Sequence, residues 1–522
     1  MSFKKQQPYQ PDMFKVPLLP SRSEKYLYDP KASHNQFYHN VYCKIPEEIF
    51  RPLYCEGNGR PGASPRLLCA MRVYKEGGGY SDKEMFEALR FDILVRKSMG
   101  MMSLEDKVPT ESTYYKFFAT ICEYKEKTGV DLYEQACKHV TREQMKEYNI
   151  SGRRLRMDST LIGSNIAHYS RYRIVHATLV NAVKMLGCEV SAMFSDSVAS
   201  QLKPLLAENA EHTCYELNAA DMRVRFLELG RLVRRVLAEA MAADLAGFEL
   251  LKRVFGEQYR INAETGELEA VPSKEISARS VQNPNDPEAT YRNKNGEDVR
   301  GYTHNATETC DDEDKATTAS GKVIQKPKLI VDVKVEAAST PDTELFKGGV
   351  EGSEDVTGQK PESVTSDGGY QSASNQEFCK GEDIEAVFTG FQGKKGAYDL
   401  ELSADGKSLE ATKTSTGEKL PASQTKSGSW RIEDVRNGKK CVRYIKPESV
   451  AAAMRRKAQE AIPKAKRWLR NNVEAAMFQL TFHTRNNKTR YRGLMKQKIF
   501  ALSRCLWVNH VRLALFELRM AS

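Results

Sequence analysis

Residues 153–165, RRLRMDSTLIGSN, interleave Leu155, Met157 and Leu161 with Arg154, Arg156 and Asp158. That period of two predicts a strand entering a turn. Aspartate is depleted in strands and costly to desolvate, so Asp158 calls for a cation, a cluster of donors or open water beside it. Helical patterns precede it. SPRLLCAMRVYKEG (64–77), SDKEMFEALRFDILVRKSMG (81–100, opening with a Ser81/Glu84 capping box) and PTESTYYKFFATICEY (109–124) place apolar residues at helical spacing. With Arg and Lys on their outer faces, these helices suit a DNA-reading module or a plain packing domain. The polar, Pro-containing stretch before them reads as a flexible arm over 1–35.

Beyond Asp158 the pattern turns helical again over 173–187. It stays so over 216–254, where apolar residues recur at three and four, giving one long amphipathic helix or two. A polar stretch (277–301) returns the chain to strands. GYTHNATETC (301–310) and KLIVDVKVEAAS (328–339) predict a strand pair, with Val331, Val333 and Val335 alternating against Asp332, Lys334 and Glu336. The intervening acids, Asp311 to Asp314, read as a solvated loop, TPDTELF as a short helix with Asp342 at its N-cap, and 361–378 as a strand ending in an Asp-Gly-Gly turn. From 384 to 446 the chain is β-like, beginning with IEAVFTGF and carrying Asp405-Gly406 and Asn437-Gly438 at hairpin turns; it then finishes helical.

Composition sharpens this picture. A 522-residue chain with 40% hydrophobic residues can build several cores. The net charge of +10 is concentrated: residues 451–522 hold sixteen Lys and Arg against three acids, which marks that region for a polyanion. Eleven scattered cysteines with no CxxC pair argue against a disulfide framework or zinc module and for a reducing cytoplasm. No apolar run approaches the roughly 18 residues of a membrane span, and the first residues lack the apolar core of a signal peptide.

Three acids stand out by context: Asp158, Asp367 just past SVTS, and Glu474 in RNNVEAAMFQL. Two strand-end aspartates and a helical glutamate can meet at one edge of a mixed sheet and hold two hard cations about 3.5–4 Å apart. Plainer roles are open to each. Asp158 could cap a turn with Ser159 and Thr160, Asp367 could serve a turn with Gly368 and Gly369, and Glu474 could pair with Arg470 on a solvated face. Trp430 could stack on an unpaired base or pack in a core. Lys464, Lys466, Arg467, Arg485, Lys488, Arg490 and Arg492 could form a solvated helix face or contact a DNA backbone. His168, His304 and His483 have no metal-ligand spacing.

In chain order, RMDSTLIGSNI, NPNDPEATYRNKNGEDVRGY, VTSDGGYQSASN and RWLRNNVEAAMFQL followed by YRGLMK resemble the DDE transposases of bacterial insertion sequences, in the branch with a β-rich insertion before the glutamate. RPGASPRLLCAMRVYKEGGGYSDKEMFEALRFDILVRKSMG resembles their helical N-terminal domain, and the similarity spans about residues 40–515. The resemblance implies an α/β fold. Its parts would be a helical N-terminal DNA-binding domain (36–150), an RNase H-like mixed-sheet catalytic core (151–383 and 447–522), a helical insertion (165–290) after the first strand, and a β-rich insertion (384–446) before the last catalytic helix. It implies Asp158, Asp367 and Glu474 as the catalytic, metal-binding triad for two Mg2+ ions, with Mn2+ able to substitute, and Arg470 as a phosphate contact. That family commonly carries a Tyr six residues before the Glu and a Lys seven after it. Here those positions hold Trp468 and Thr481, leaving Arg485 or Lys488 to replace the lysine. The implied activity is binding of inverted-repeat ends, their cleavage, and joining of the 3′-OH to target DNA by a homodimer of cytoplasmic, nucleoid-associated protein. A catalytically inactive descendant that only binds DNA, or a host nuclease on the same core, would be alternatives.

Overall fold

The computed structural model describes residues 21–55, 62–103, 105–187, 189–294, 296–390, 396–403, 406–436, 439–463 and 473–521. Seven helices open the chain: α1 (Ser21–Tyr28), α2 (Ser33–Asn40), α3 (Pro65–Gly78), α4 (Asp82–Phe91), α5 (Ile93–Ser98), α6 (Glu111–Thr128) and α7 (Leu132–Glu147). The ends follow local chemistry. Ser64 caps α3 with Pro65 at its first position, and Gly79 ends it in the left-handed region. The Ser81/Glu84 capping box opens α4 as its sequence predicts. The 81–100 stretch is nevertheless two helices, because the Asp92 carboxylate accepts from the backbone N–H groups of Leu94 and Val95 and starts α5. The arm expected over 1–35 is helical from Ser21, and α2 already buries Phe37 and Asn40.

The main sheet is built around β1 (Arg154–Gly163). The strands β4 (Thr290–Lys294), β5 (Glu297–Thr309), β8 (Ile330–Ala337), β9 (Ser363–Ser366) and β10 (Glu385–Phe388) complete it. The order is β10-β9-β1-β5, and the far edge of β5 pairs with β4 along 297–301 and with β8 along 302–308. β5 runs antiparallel to both β1 and β8, whereas β9 and β10 run parallel to β1. IEAVFTGF therefore does not begin the β-rich insertion: its strand is the parallel edge of the main sheet. The acidic loop is not fully solvated either. A small hairpin, β6 (Lys315–Thr317) with β7 (Val323–Gln325), folds there, and Asp311 is buried against Arg153.

Alternation along β1 sorts its side chains between two layers. Leu155 and Met157 pack with Phe346 and Val350 of α14 (Asp342–Thr357), which is longer than the short helix expected there. α15 (Ala373–Gly381) links β9 to β10. On the other face Arg156 donates to Glu308 of β5 at 2.6 Å, and Glu308 also receives Arg512 at 2.7 Å from the last helix. That helix is α18 (Leu494–Met520), which follows α16 (Pro447–Glu460) and α17 (Val473–Thr481). α18 packs on α2, α3, α7 and β8, so the N-terminal helices share one hydrophobic core with the sheet instead of standing apart as a domain. Among the described residues it is the one helix long and apolar enough to cross a membrane, and 78% of its apolar stretch is buried in the protein.

Two insertions leave this core. The first holds α8 (Arg171–Met185), α9 (Val190–Met193), α10 (Asp196–Ala207), α11 (Ala210–Glu216), α12 (Ala219–Ala242) and α13 (Glu249–Gln258), closed by the hairpin of β2 (Tyr259–Ile261) and β3 (Leu268–Ala270). Val175, Leu202, Val233 and Leu251 form its separate core. The second is a five-stranded antiparallel meander, β11 (Tyr398–Leu402), β12 (Leu409–Lys413), β13 (Lys419–Gln424), β14 (Trp430–Arg436) and β15 (Lys439–Ile445), with α16 against it. Its expected turn residues Asp405, Asn437 and Gly438 lie outside the described residues. Trp430 is 4% exposed among Leu400, Ile432 and Ile445, so its ring packs in that core and has no face open to a base.

The joint between the N-terminal helices and α18 is close. A Cβ at Gly77 would lie 1.9 Å from Trp507 Cδ2, in a cage that also holds Phe37 and Tyr74. Gly77→Ala should therefore destabilise the protein by about 1–3 kcal/mol through overpacking, read as a lower Tm in thermal melts.

Candidate functional site

Register brings Asp158 and Asp367 together. β1 and β9 pair in parallel at Arg154–Ser363, Leu155–Val364 and Arg156–Thr365. Two positions beyond the last of these pairs stand Asp158, within β1, and Asp367, one residue past the end of β9. Asp158 is 8% exposed, and its Oδ1 accepts from the Ser159 N–H at 2.8 Å. Asp367 is half-buried and accepts from the Gly369 N–H at 2.5 Å, capping the tight turn Gly368–Tyr370. The turn role considered for Asp367 is thus present alongside its place at the strand edge.

Tyr370 reports on both carboxylates. The ring is buried and its hydroxyl donates to Asn305 Oδ1 at 2.5 Å. Burial, then the nearby charges of Asp342, Asp158 and Asp367, hold its pKa well above the ordinary tyrosine value. Asp342 is buried in the first turn of α14, held by both Arg292 terminal nitrogens at 3.1 and 3.2 Å and by Ser159 Oγ at 3.1 Å. It is thus occupied by a structural ion pair next to the site. Ser366, directly before Asp367, has a buried Oγ with no hydrogen-bond partner among the described residues.

Glu474 comes from the face of the sheet that α18 covers, opposite α14. It lies exposed in the first turn of α17, a helix that packs against β1 and buries Ala476, Met477 and Leu480 in the shared core. Arg504 of α18 fixes that helix. Its buried guanidinium donates to the Leu480 carbonyl at 3.1 Å and to the Gln479 carbonyl, and also to the Glu76 and Gly77 carbonyls at 2.8 and 3.0 Å. One cation thus ties the C-terminal ends of α17 and α3, where helix dipoles favour positive charge. Burial lowers its pKa to about 10. The signal for this residue was a lone arginine in the apolar run FALSRCLWV. Among the described residues no three His, Cys, Asp or Glu side chains are grouped closely enough to hold a metal, so Glu474 does not complete such a cluster with the two aspartates here.

Four of the predicted basic residues gather after α17. The segment 482–493 docks on the end of β1, where Gly163 N–H donates to the Asn487 carbonyl at 2.7 Å and Thr489 N–H donates to the Gly163 carbonyl at 3.1 Å. Exposed Arg485, Lys488 and Arg490, with His483, Tyr80 and Asn165, line a cavity of about 470 Å³ beside the α3–α4 turn. Lys488, Arg490 and Arg492 donate to backbone carbonyls of Ile166, Tyr80 and Asn165, while Glu76 also lines the cavity and Arg490 acts electrostatically on Glu84. No carboxylate ion pair involves these four cations among the described residues. Thr481, at the position expected to hold a lysine, turns its hydroxyl onto the Met477 carbonyl at 3.1 Å. Lys464, Lys466, Arg467, Trp468 and Arg470 lie outside the described residues.

Comparison with protein families matches residues 27–120 to the model described as Transposase domain (DUF772). Comparison with curated proteins finds no match. The matched segment runs from α1 into α6 and includes the α3–α4 turn that walls the basic cavity.

The histidines near this architecture are structural. His304, opposite Thr160 on β5, and His510 of α18, against Phe37 and Trp507, are both fully buried, and burial pushes each pKa down to about 3. Unfolded imidazoles titrate near 6.5, so below that pH the unfolded chain binds protons that the folded chain refuses. Stability is fully present above about pH 6.5 and is lost as pH falls towards 3. Melting temperature should drop on acidification from pH 7 to 5, and His510→Phe should flatten that slope by up to one proton's worth.

Proposed function

We propose that this protein is a DNA transposase with an RNase H-like catalytic core, which cleaves the inverted-repeat ends of its element and joins the freed 3′-OH to target DNA. The observation that carries the reading is the β1–β9 register, which sets Asp158 beside Asp367 on a sheet whose order runs β8-β5-β1-β9-β10. Support comes from the transposase-domain match over 27–120 and from the packing of α17, the helix that carries Glu474 in its first turn, against β1. The cations of 485–492, which make no ion pair among the described residues, fit a DNA backbone at the Gly163 end of β1.

Hard carboxylate oxygens suit Mg2+ or Mn2+, and two aspartates at the ends of neighbouring strand pairings, one of them 8% exposed, offer such oxygens. Asp158 and Asp367 would hold the ions, with Glu474 completing the set. Bound metal supplies activation of the attacking oxygen and stabilisation of the leaving oxygen. The protein's own groups do the rest. Asn305 fixes the Tyr370 hydroxyl beside the two aspartates, Arg504 sets the position of the glutamate helix, and Arg485, Lys488 and Arg490 position the phosphate backbone. In cleavage a water oxygen bonds to phosphorus and the 3′-oxygen leaves. In joining, that 3′-OH bonds to a target phosphorus and the target's own 3′-oxygen leaves. Both are in-line displacements, so one site serves both, and pairing two element ends calls for a dimer.

Asp158→Asn, Asp367→Asn and Glu474→Gln should each reduce nicking of end-containing DNA with Mg2+ by at least about a hundredfold while leaving gel-shift affinity for the end within a few fold. Wild-type protein that binds ends without nicking them, or substitutions that leave nicking unchanged, would overturn the reading.

A further inference from the structure

We propose that the helical insertion carries its own site for the backbone of duplex DNA, on the face of α12 formed by Arg223, Arg231 and Arg234. The inference rests on the DNA-processing reading above and adds a contact surface away from the carboxylate edge. Residues 171–258 contain eleven Lys and Arg and eleven Asp and Glu, so the insertion as a whole is neutral. Within 223–235, however, five arginines accompany one glutamate.

Their surroundings divide the five. Arg225 pairs with Glu208 at 2.8 Å and reaches Glu228 at 3.8 Å, and Arg235 donates to Ser197 Oγ. Arg223, Arg231 and Arg234 are exposed and make no ion pair or side-chain hydrogen bond among the described residues. At 100° per residue, Arg223 and Arg234 fall about 20° apart on the helix with Arg231 about 60° from the second, and the three spread over about 16 Å of axis. The other face is committed: Phe226, Leu229, Val233 and Val236 are buried in the insertion's core.

Solvated faces elsewhere in this chain mix signs at helical spacing, as in Arg253–Glu257 and Lys347–Glu351. Here Glu228 stands three residues before Arg231 but reaches Arg225 at 3.8 Å, and none of the three guanidiniums makes an ion pair among the described residues. That pattern complements a polyanion of regular charge, and duplex DNA offers one phosphate charge per about 1.7 Å of axis. The guanidinium fork also matches phosphate oxygens better than an ammonium does.

The test uses full-length protein and a labelled duplex carrying an element end, with affinity read by fluorescence anisotropy across a salt series. Relative to wild type, R223Q/R231Q/R234Q should make the slope of log K against log salt shallower by about 2–3 and weaken binding at least about tenfold near physiological salt. Its melting temperature and its nicking rate at saturating DNA should match wild type. R223K/R231K/R234K should restore the slope, and the single Arg231→Glu should weaken binding without three simultaneous changes. Unchanged slope and affinity in the Gln and Glu variants, with nicking still dependent on Asp158, would overturn this inference alone. Wild-type protein that binds no DNA would overturn both this and the transposase reading.

Discussion

The double pairing of β1 is the constraint on which the rest of the molecule depends. Held antiparallel by β5 and parallel by β9, this strand has no freedom to slip, and a slip of one residue would turn every side chain to the other layer. Its register sends Leu155 and Met157 into the core beneath α14 and leaves Arg156 to meet Glu308 on the opposite face. The same register carries Asp158 alongside Asp367. Sheet pairing, packing and the proposed chemistry are therefore one decision.

Buried charge secures the second layer. Glu308 takes both Arg156 and Arg512, joining β1, β5 and α18, while Arg504 binds the ends of α3 and α17. Buried ion pairs add little net stability over apolar packing, but removal of one partner leaves an uncompensated charge, so they penalise misplacement strongly. Arg504 and Arg512 extend this control to α17, which packs against β1. The α3–α18 joint at Gly77 and Trp507 extends the same control to the segment that matches the transposase domain.

Local patterns made much of this legible. Alternation identified β1 and the β5–β8 pair, the Ser81/Glu84 box placed the start of α4, and hydrophobic spacing found α8 and the run that divides into α12 and α13. What local signals lacked was the partner. β10 reads like any short strand of the following meander, and only its parallel pairing with β9 assigns it to the main sheet. α7, α9–α11 and α15 fell between more conspicuous stretches. Asp311 sat in an acidic run that reads as solvated, yet Arg153, distant in sequence, buries it. Trp430 was ambiguous because an aromatic suits a base stack and a core equally until the neighbouring strands are in place. For the proposed site, the family resemblance pointed to Asp158, Asp367 and Glu474, whereas the surroundings of the two aspartates, Tyr370 and Asn305, and the Arg504 clamp on α17 needed the fold to reveal them.

The central claim is spatial: two aspartates joined by strand register, and a glutamate brought up by a helix, serve one divalent-ion site. Iron(II) placed in that site would reduce added hydrogen peroxide to hydroxyl radical and hydroxide, with ascorbate returning the iron(III) to iron(II), and the radicals would cut the polypeptide nearby, so mapping the cuts reads proximity directly. The account predicts three clusters of Mg2+-competable cuts, around residues 158, 367 and 474, all lost together in Asp158→Asn. Cuts confined to one or two of these stretches, or persisting in that variant, would contradict it.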